Sequence, residues 1–146
     1  MSSKIRKFFA MLSAKRKMAF VEKVCLFCLE GKVVEEMLTF FDEHDEHFDE
    51  TEEEHKLEYT KMHSTFSDKF ENEIENFIRK SGYEPKDFYI FLKEASSEDP
   101  ASFSAQLEVF FSAFDFEIFV DLMKSTEKRL YWKGLMKGWA RYFKGK

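Results

Sequence analysis

Between Tyr59 and Ile78 the apolar residues Tyr59, Met62, Phe66, Phe70, Ile74, Phe77 and Ile78 recur at steps of three and four. That period matches a helical turn and lays a single apolar stripe along a helix of about 52–80. Thr51-x-x-Glu54 has the form of a capping box at its start, and Ser81-Gly82 is a terminator at its end. One long striped helix cannot bury itself, so the chain must supply further helices to cover it.

The same period runs through nearly all the remaining sequence. A first helix is expected over about 18–30, with Phe20, Val21, Val24, Cys25, Cys28 and Leu29 on one face and Gly31 beyond its end. A second uses Val34, Met37, Leu38 and Phe41 over about 33–44. Pro85 suits a first helical turn, and Phe88, Phe91 and Leu92 follow it. Residues 96–100 read as a loop, in which Asp99 can cap and Pro100 can open a helix carrying Phe103, Leu107, Phe110 and Phe111. Phe114-Asp115 breaks that helix, and Phe116, Phe119, Val120 and Met123 continue on another. A last helix is expected over about 130–143. The chain holds 19 Phe against five Gly and two Pro. Few breakers and many large rings suit long helices around an aromatic core, each buried ring contributing about 1.5–3 kcal/mol. At 146 residues a single all-α domain is expected.

Charge is segregated behind a net value of -5. Lys4, Arg6, Lys7, Lys15, Arg16 and Lys17 stand in residues 1–20 with no acid. Residues 35–58 are acidic, with Lys56 as their only base. The tail from Lys124 is basic again, with Glu127 as its only acid. Such runs are usually solvated faces, but the ends can also fold back on the acidic middle or reach an acidic partner. The acidic body disfavours nucleic acid. No apolar run is long enough for a membrane span. The N-terminus does not have the form of a secretory signal, Ser2 excludes myristoylation, and no prenylation Cys follows, so a soluble intracellular protein is expected.

Chemistry is sparse. Cys25-x-x-Cys28 lies among Val24, Leu26, Phe27 and Leu29, which suits buried thiols better than a redox pair or zinc site. His44, His47 and His55 stand among carboxylates, where a solvated acidic face accounts for them better than a metal does. No phosphate loop, nucleophile elbow or metalloprotease motif occurs. A non-enzymatic protein without cofactor or metal is expected.

Two stretches carry a family resemblance. The acidic run 48–55 leads into Lys56-Leu57-x-Tyr59-Thr60, and Asp115-Phe116-x-x-Phe119 closes on Leu122-Met123. In this order and spacing they resemble the BART domain, found in the binder of Arf-like GTPases and in a cilia- and flagella-associated relative. The likeness spans about residues 20–128. It implies a six-helix bundle with an apolar groove that takes the amphipathic N-terminal helix of a GTP-bound Arf-like small GTPase. It also implies a cytoplasmic, ciliary or flagellar setting. The organisation expected is a basic amphipathic segment over 1–17, a BART-like helical domain over 18–128, and a basic aromatic C-terminal helix over 129–146.

The family pattern does not assign groove residues. Apolar positions in excess of one stripe on the third to fifth helices give the candidates Phe66, Phe70, Phe88, Phe91, Leu92, Leu107, Phe110 and Phe111. Core packing accounts for each at least as well. The neighbours Phe91-Leu92 and Phe110-Phe111 stand out, because adjacent residues cannot share one narrow stripe. Outside the domain, Ile5, Phe8, Phe9 and Leu12 stand at i, i+3, i+4 and i+7 with basic flanks, as a groove plug or a surface anchor would. In the tail, Leu130, Trp132, Leu135, Met136, Trp139, Tyr142 and Phe143 alternate with Lys and Arg. They suit a helix docked on the bundle, or one on an anionic surface with Trp132 and Trp139 as anchors. Gly134 and Gly138, four apart, offer a close approach to a neighbouring helix. The competing function is therefore a structural adaptor, held on an axonemal filament or peripherally on a membrane by its basic ends.

Overall fold

The structure is a computed structural model that describes residues 2–30, 32–48, 56–98 and 103–144. Among these are seven α-helices, one 3-10 turn and no strand. The helices are α1 (Ser3–Leu29), α2 (Lys32–His44), α3 (Lys56–Lys80), α4 (Pro85–Glu98), α5 (Phe103–Ser112), α6 (Phe116–Lys124) and α7 (Thr126–Lys144). The 3-10 turn Asp45–His47 follows α2. No described helix is long and apolar enough to cross a membrane. Six helices form an all-α bundle, and α7 packs on it through α1, α2 and α6.

Helix ends follow local chemistry. Ser2 caps α1, its Oγ accepting from the Ile5 N–H at 3.2 Å. Gly82 takes φ +91 after α3, so Tyr83 N–H donates to Ile78 O at 3.3 Å and Gly82 N–H to Arg79 O at 3.0 Å. That pair is a Schellman motif, which favours glycine because the left-handed backbone clashes with a Cβ. Asp115 caps α6 by accepting from Glu117 N–H at 3.0 Å. The Ser125 side chain accepts from Lys128 N–H at the start of α7.

Several boundaries differ from those expected. α1 begins at Ser3, fifteen residues before the expected start, so the basic segment and the first domain helix are one uninterrupted helix. Residues 3–19 contain no Gly or Pro to break it. α4 continues through Ser96 and Ser97 to Glu98. α7 starts at Thr126 because Ser125 caps it. The divisions at 17/18 and 128/129 thus fall inside α1 and α7. Thr51, Glu54 and His55, like Gly31, Asp99 and Pro100, lie outside the described residues.

Phe66 stands at the centre of the core. Its ring lies 5.3 Å from Phe40 and Phe41 on α2, 5.0 Å from Phe70, and 4.9 Å from Phe119 on α6. Tyr59 stacks on Phe48 at 4.3 Å, and Phe48 meets Phe119 at 5.9 Å. Phe48 thus joins the start of α3 to α6, stacked on Tyr59 and edge-on to Phe119. α1 covers another side, stacking Phe20 on Tyr83 at 3.9 Å and Phe27 on Phe77 at 4.0 Å. Cys25 and Cys28 are free thiols buried in this layer. Burial, and then Glu22, pushes Cys25 up to about 12. Burial, and then Cys25, raises Cys28.

Candidate functional site

The rings expected to line a groove divide by depth. Phe66, Phe70, Phe88, Leu107 and Phe110 are fully buried, and Leu92 nearly so. Phe91 and Phe111 are half-buried, packed against the core with one side open. They lie on opposite flanks of α4. Phe111 meets Phe88 at 6.0 Å and Tyr89 at 5.8 Å. Phe91 faces α1, 6.4 Å from Phe20 and 6.2 Å from Tyr83.

The Phe111 flank is an apolar surface between α4 and α5 with α3 beside it. Tyr89 is exposed and lies over Phe88, with a centroid separation of 5.4 Å. Its hydroxyl is pushed up to about 12 by burial, and then by Glu75, Glu71 and Cys28. Both acids belong to α3, which packs beside α4, and Glu75 is paired there with Arg79 at 3.7 Å. Desolvation, and then Glu75, raises Glu71 as well. A partly open ring surface of this kind suits the apolar stripe of an amphipathic helix.

The Phe91 flank is a cleft of about 360 Å³ between α1 and α4, lined by Ala10, Ser13, Lys17, Val21 and Glu94 among others. The Lys17 ammonium sits 4.9 Å from the Phe91 ring centroid, a cation–π contact on its wall. A neighbouring cleft joins Phe9, Leu12, Arg16 and Tyr83 to the same ring.

The residues proposed as surface anchors separate in the same way. Phe8 and Phe9 are exposed. Trp132 is buried, 6.0 Å from Phe41 and 6.3 Å from Phe110, and Trp139 is half-buried against the bundle. The tail is docked, with Leu130 and Tyr131 on its outer side. A Cβ added at Gly134 or Gly138 would meet nothing within 4 Å, so these glycines mark no close helix approach. The basic tail does fold back on the acidic middle: Lys137 pairs with Glu35 at 3.1 Å, and Arg129 with Asp45 at 2.9 Å.

Arg129 is the residue that periodicity could not single out. Only 5% exposed, it donates through Nη1 to Leu122 O and Met123 O, both at 2.9 Å, and through Nη2 to Asp45 and Thr126. It holds the C-terminal end of α6 against the turn after α2. His63 makes a second long-range tie, its Nε2 donating to Phe114 O at 2.6 Å. His44 turns back on its own helix, with Nδ1 2.8 Å from Phe40 O and its ring stacked on Phe40. The His47 side chain lies outside the described residues. Tyr89 stands in the unbroken run Phe88-Tyr89-Ile90-Phe91-Leu92, which is too apolar for one face.

Residues 16–131 match the family model described as "The ARF-like 2 binding protein BART". No curated protein and no solved structure matches.

Proposed function

The chain belongs to the BART family, and from that membership we propose that it is a non-enzymatic effector module that grips the amphipathic N-terminal helix of a GTP-bound Arf-like small GTPase. The observation that carries this reading is the partly open ring surface where Tyr89 and Phe111 meet over Phe88. A ligand helix laid along α4 and α5 covers these rings with its apolar stripe. Of the buried candidates, Phe88 and Phe110 lie against Phe111 and back that surface. Phe66, Phe70, Leu92 and Leu107 belong to the core.

The test is capture of Arf-like GTPases loaded with a GTP analogue or with GDP, followed by titration of the isolated N-terminal helix. Binding is expected to favour the GTP form. Tyr89→Ser and Phe111→Ser should each weaken it about tenfold or more, which corresponds to about 1.4 kcal/mol. Equal capture of both nucleotide forms, or none, would overturn the proposal.

Resemblance to a cilia- and flagella-associated relative supports action in the cytoplasm at a cilium or flagellum. Imaging of the tagged chain tests this, and exclusion from the organelle would refute it. A filament-bound adaptor held by both basic ends draws less support, because Arg129 and Lys137 are already engaged with α2 and the turn that follows it.

A further inference from the structure

The first half of α1 carries an apolar face that the bundle does not use. None of the described residues before Phe20 is buried. Ile5, Phe8, Phe9 and Met11 are exposed, Phe8 and Phe9 at 52% and 55%. At about 100° per residue, Met11, Phe8, Leu12, Ile5 and Phe9 occupy an arc of roughly 160°. Val21, Val24 and Cys28, which enter the core, point to nearly the opposite side of the same helix. Ile5, Phe8 and Met11 therefore form a face apart from the buried one, and Phe9 stands at its edge beside the cleft shared with Tyr83 and Phe91.

Charge indicates what covers it. Residues 1–21 hold six Lys and Arg and no acid, while all 28 acids lie beyond them. Lys4, Lys15 and Arg16 fall within the apolar arc itself, interleaved with the rings. A dry protein groove closing on this arc would have to desolvate those cations. At a lipid headgroup layer they stay hydrated while their stems and the rings enter the acyl boundary. Two copies packed stripe to stripe would set one all-basic segment against another.

We propose that the N-terminal half of α1 docks on an anionic bilayer surface, lying in the headgroup plane with Ile5, Phe8, Phe9 and Met11 inserted. This docking is peripheral and independent of any GTPase.

The full chain is sedimented with vesicles of phosphatidylcholine alone, and with vesicles in which about one lipid in three is phosphatidylserine. Binding is expected only to the second, falling about tenfold or more when salt is raised from about 0.05 to 0.5 M. The double variant Phe8→Ser/Phe9→Ser should keep the melting temperature and lose the binding. Lys4→Glu/Lys7→Glu, at exposed positions, is the second variant with the same expected loss. Absence of binding, or equal binding to both vesicles, would overturn the proposal. So would binding that survives both variants, which would place the contact elsewhere on the chain. A dimer seen by sedimentation velocity and abolished by Phe8→Ser/Phe9→Ser, without vesicle binding, would assign the face to a second copy instead.

Discussion

Replacing Arg129 with Ala removes four hydrogen bonds at once and leaves Leu122 O and Met123 O without the guanidinium that covers them. Buried acceptors that lose a charged donor are costly, so Arg129→Ala should destabilise the fold by about 2–4 kcal/mol, read from urea unfolding. Arg129→Lys should recover only part of this, because an ammonium cannot reproduce the fork that reaches two carbonyls and a carboxylate together. A loss under about 0.5 kcal/mol, the size of an ordinary surface change, would contradict this role. The buried thiols give a second expectation at this scale. Cys25 moves from 9.0 to about 12 on folding. A raised folded pKa contributes stability that is complete below the unfolded value and is lost as pH rises through the folded one. The urea midpoint should therefore stay level, as far as these groups act, up to pH 9.0 and fall between there and about pH 12. Cys28 and Tyr89, both raised on folding, act with the same sign. Cys25→Ala should flatten that descent, and an unchanged slope would refute the assignment.

Among the elements, α7 is held by a few side chains and weakened by its own glycines. Trp132 and Met136 are buried, and Arg129 secures the first turn. Gly134 and Gly138 lie inside the helix, neither has a positive φ, and open space surrounds each. Gly134→Ala and Gly138→Ala should each stabilise the protein by about 0.5–1 kcal/mol, seen as a higher melting temperature. A fall in melting temperature would mean that the glycines serve a contact which the open space around them contradicts. Gly82 differs, because its φ of +91 makes any Cβ strained there. The elements themselves were legible in the sequence wherever the three-to-four period was long. α2 and the end of α3 fall where the period places them, the expected start of α3 lies outside the described residues, and Asp115 and Ser81-Gly82 act as the punctuation they resemble. The start of α1 was misplaced because residues 3–19 change apolar face with respect to 20–29, and a face that turns looks like a boundary.

For the whole molecule, the docked tail makes an optical prediction. Trp132 is 4% exposed and Trp139 is half-buried. Fluorescence of the isolated protein should be blue-shifted and protected from quenchers with no partner added. Emission that is exposed in buffer and shifts only with anionic vesicles would place the tail off the bundle. A chain lacking residues 126–146 should lose cooperativity, because Phe41 and Phe110 would face water where Trp132 now covers them. The candidate site was less legible than the fold. Depth sorted its eight candidates: adjacency in sequence singled out Phe91-Leu92 and Phe110-Phe111, and in each pair one ring is half-open while Leu92 and Phe110 lie inside.

Sequence alone determined the helical class, the family and the thiol burial, because each depends on local period, on fixed spacing, or on apolar neighbours along the chain. It also determined that the N-terminal stripe exists, since a face confined to residues 5–12 is a local property. Tertiary structure alone decided which rings are wall and which are surface, because exposure depends on what lies across the bundle and not on the residue type. It decided that Arg129 is a tie and Lys133 is not, since a guanidinium becomes structural only when α6 carbonyls and Asp45 arrive around it from distant parts of the chain. The side of α1 that the bundle leaves open was settled in the same way, by the packing of Val21, Val24 and Cys28 and by nothing in the stripe itself.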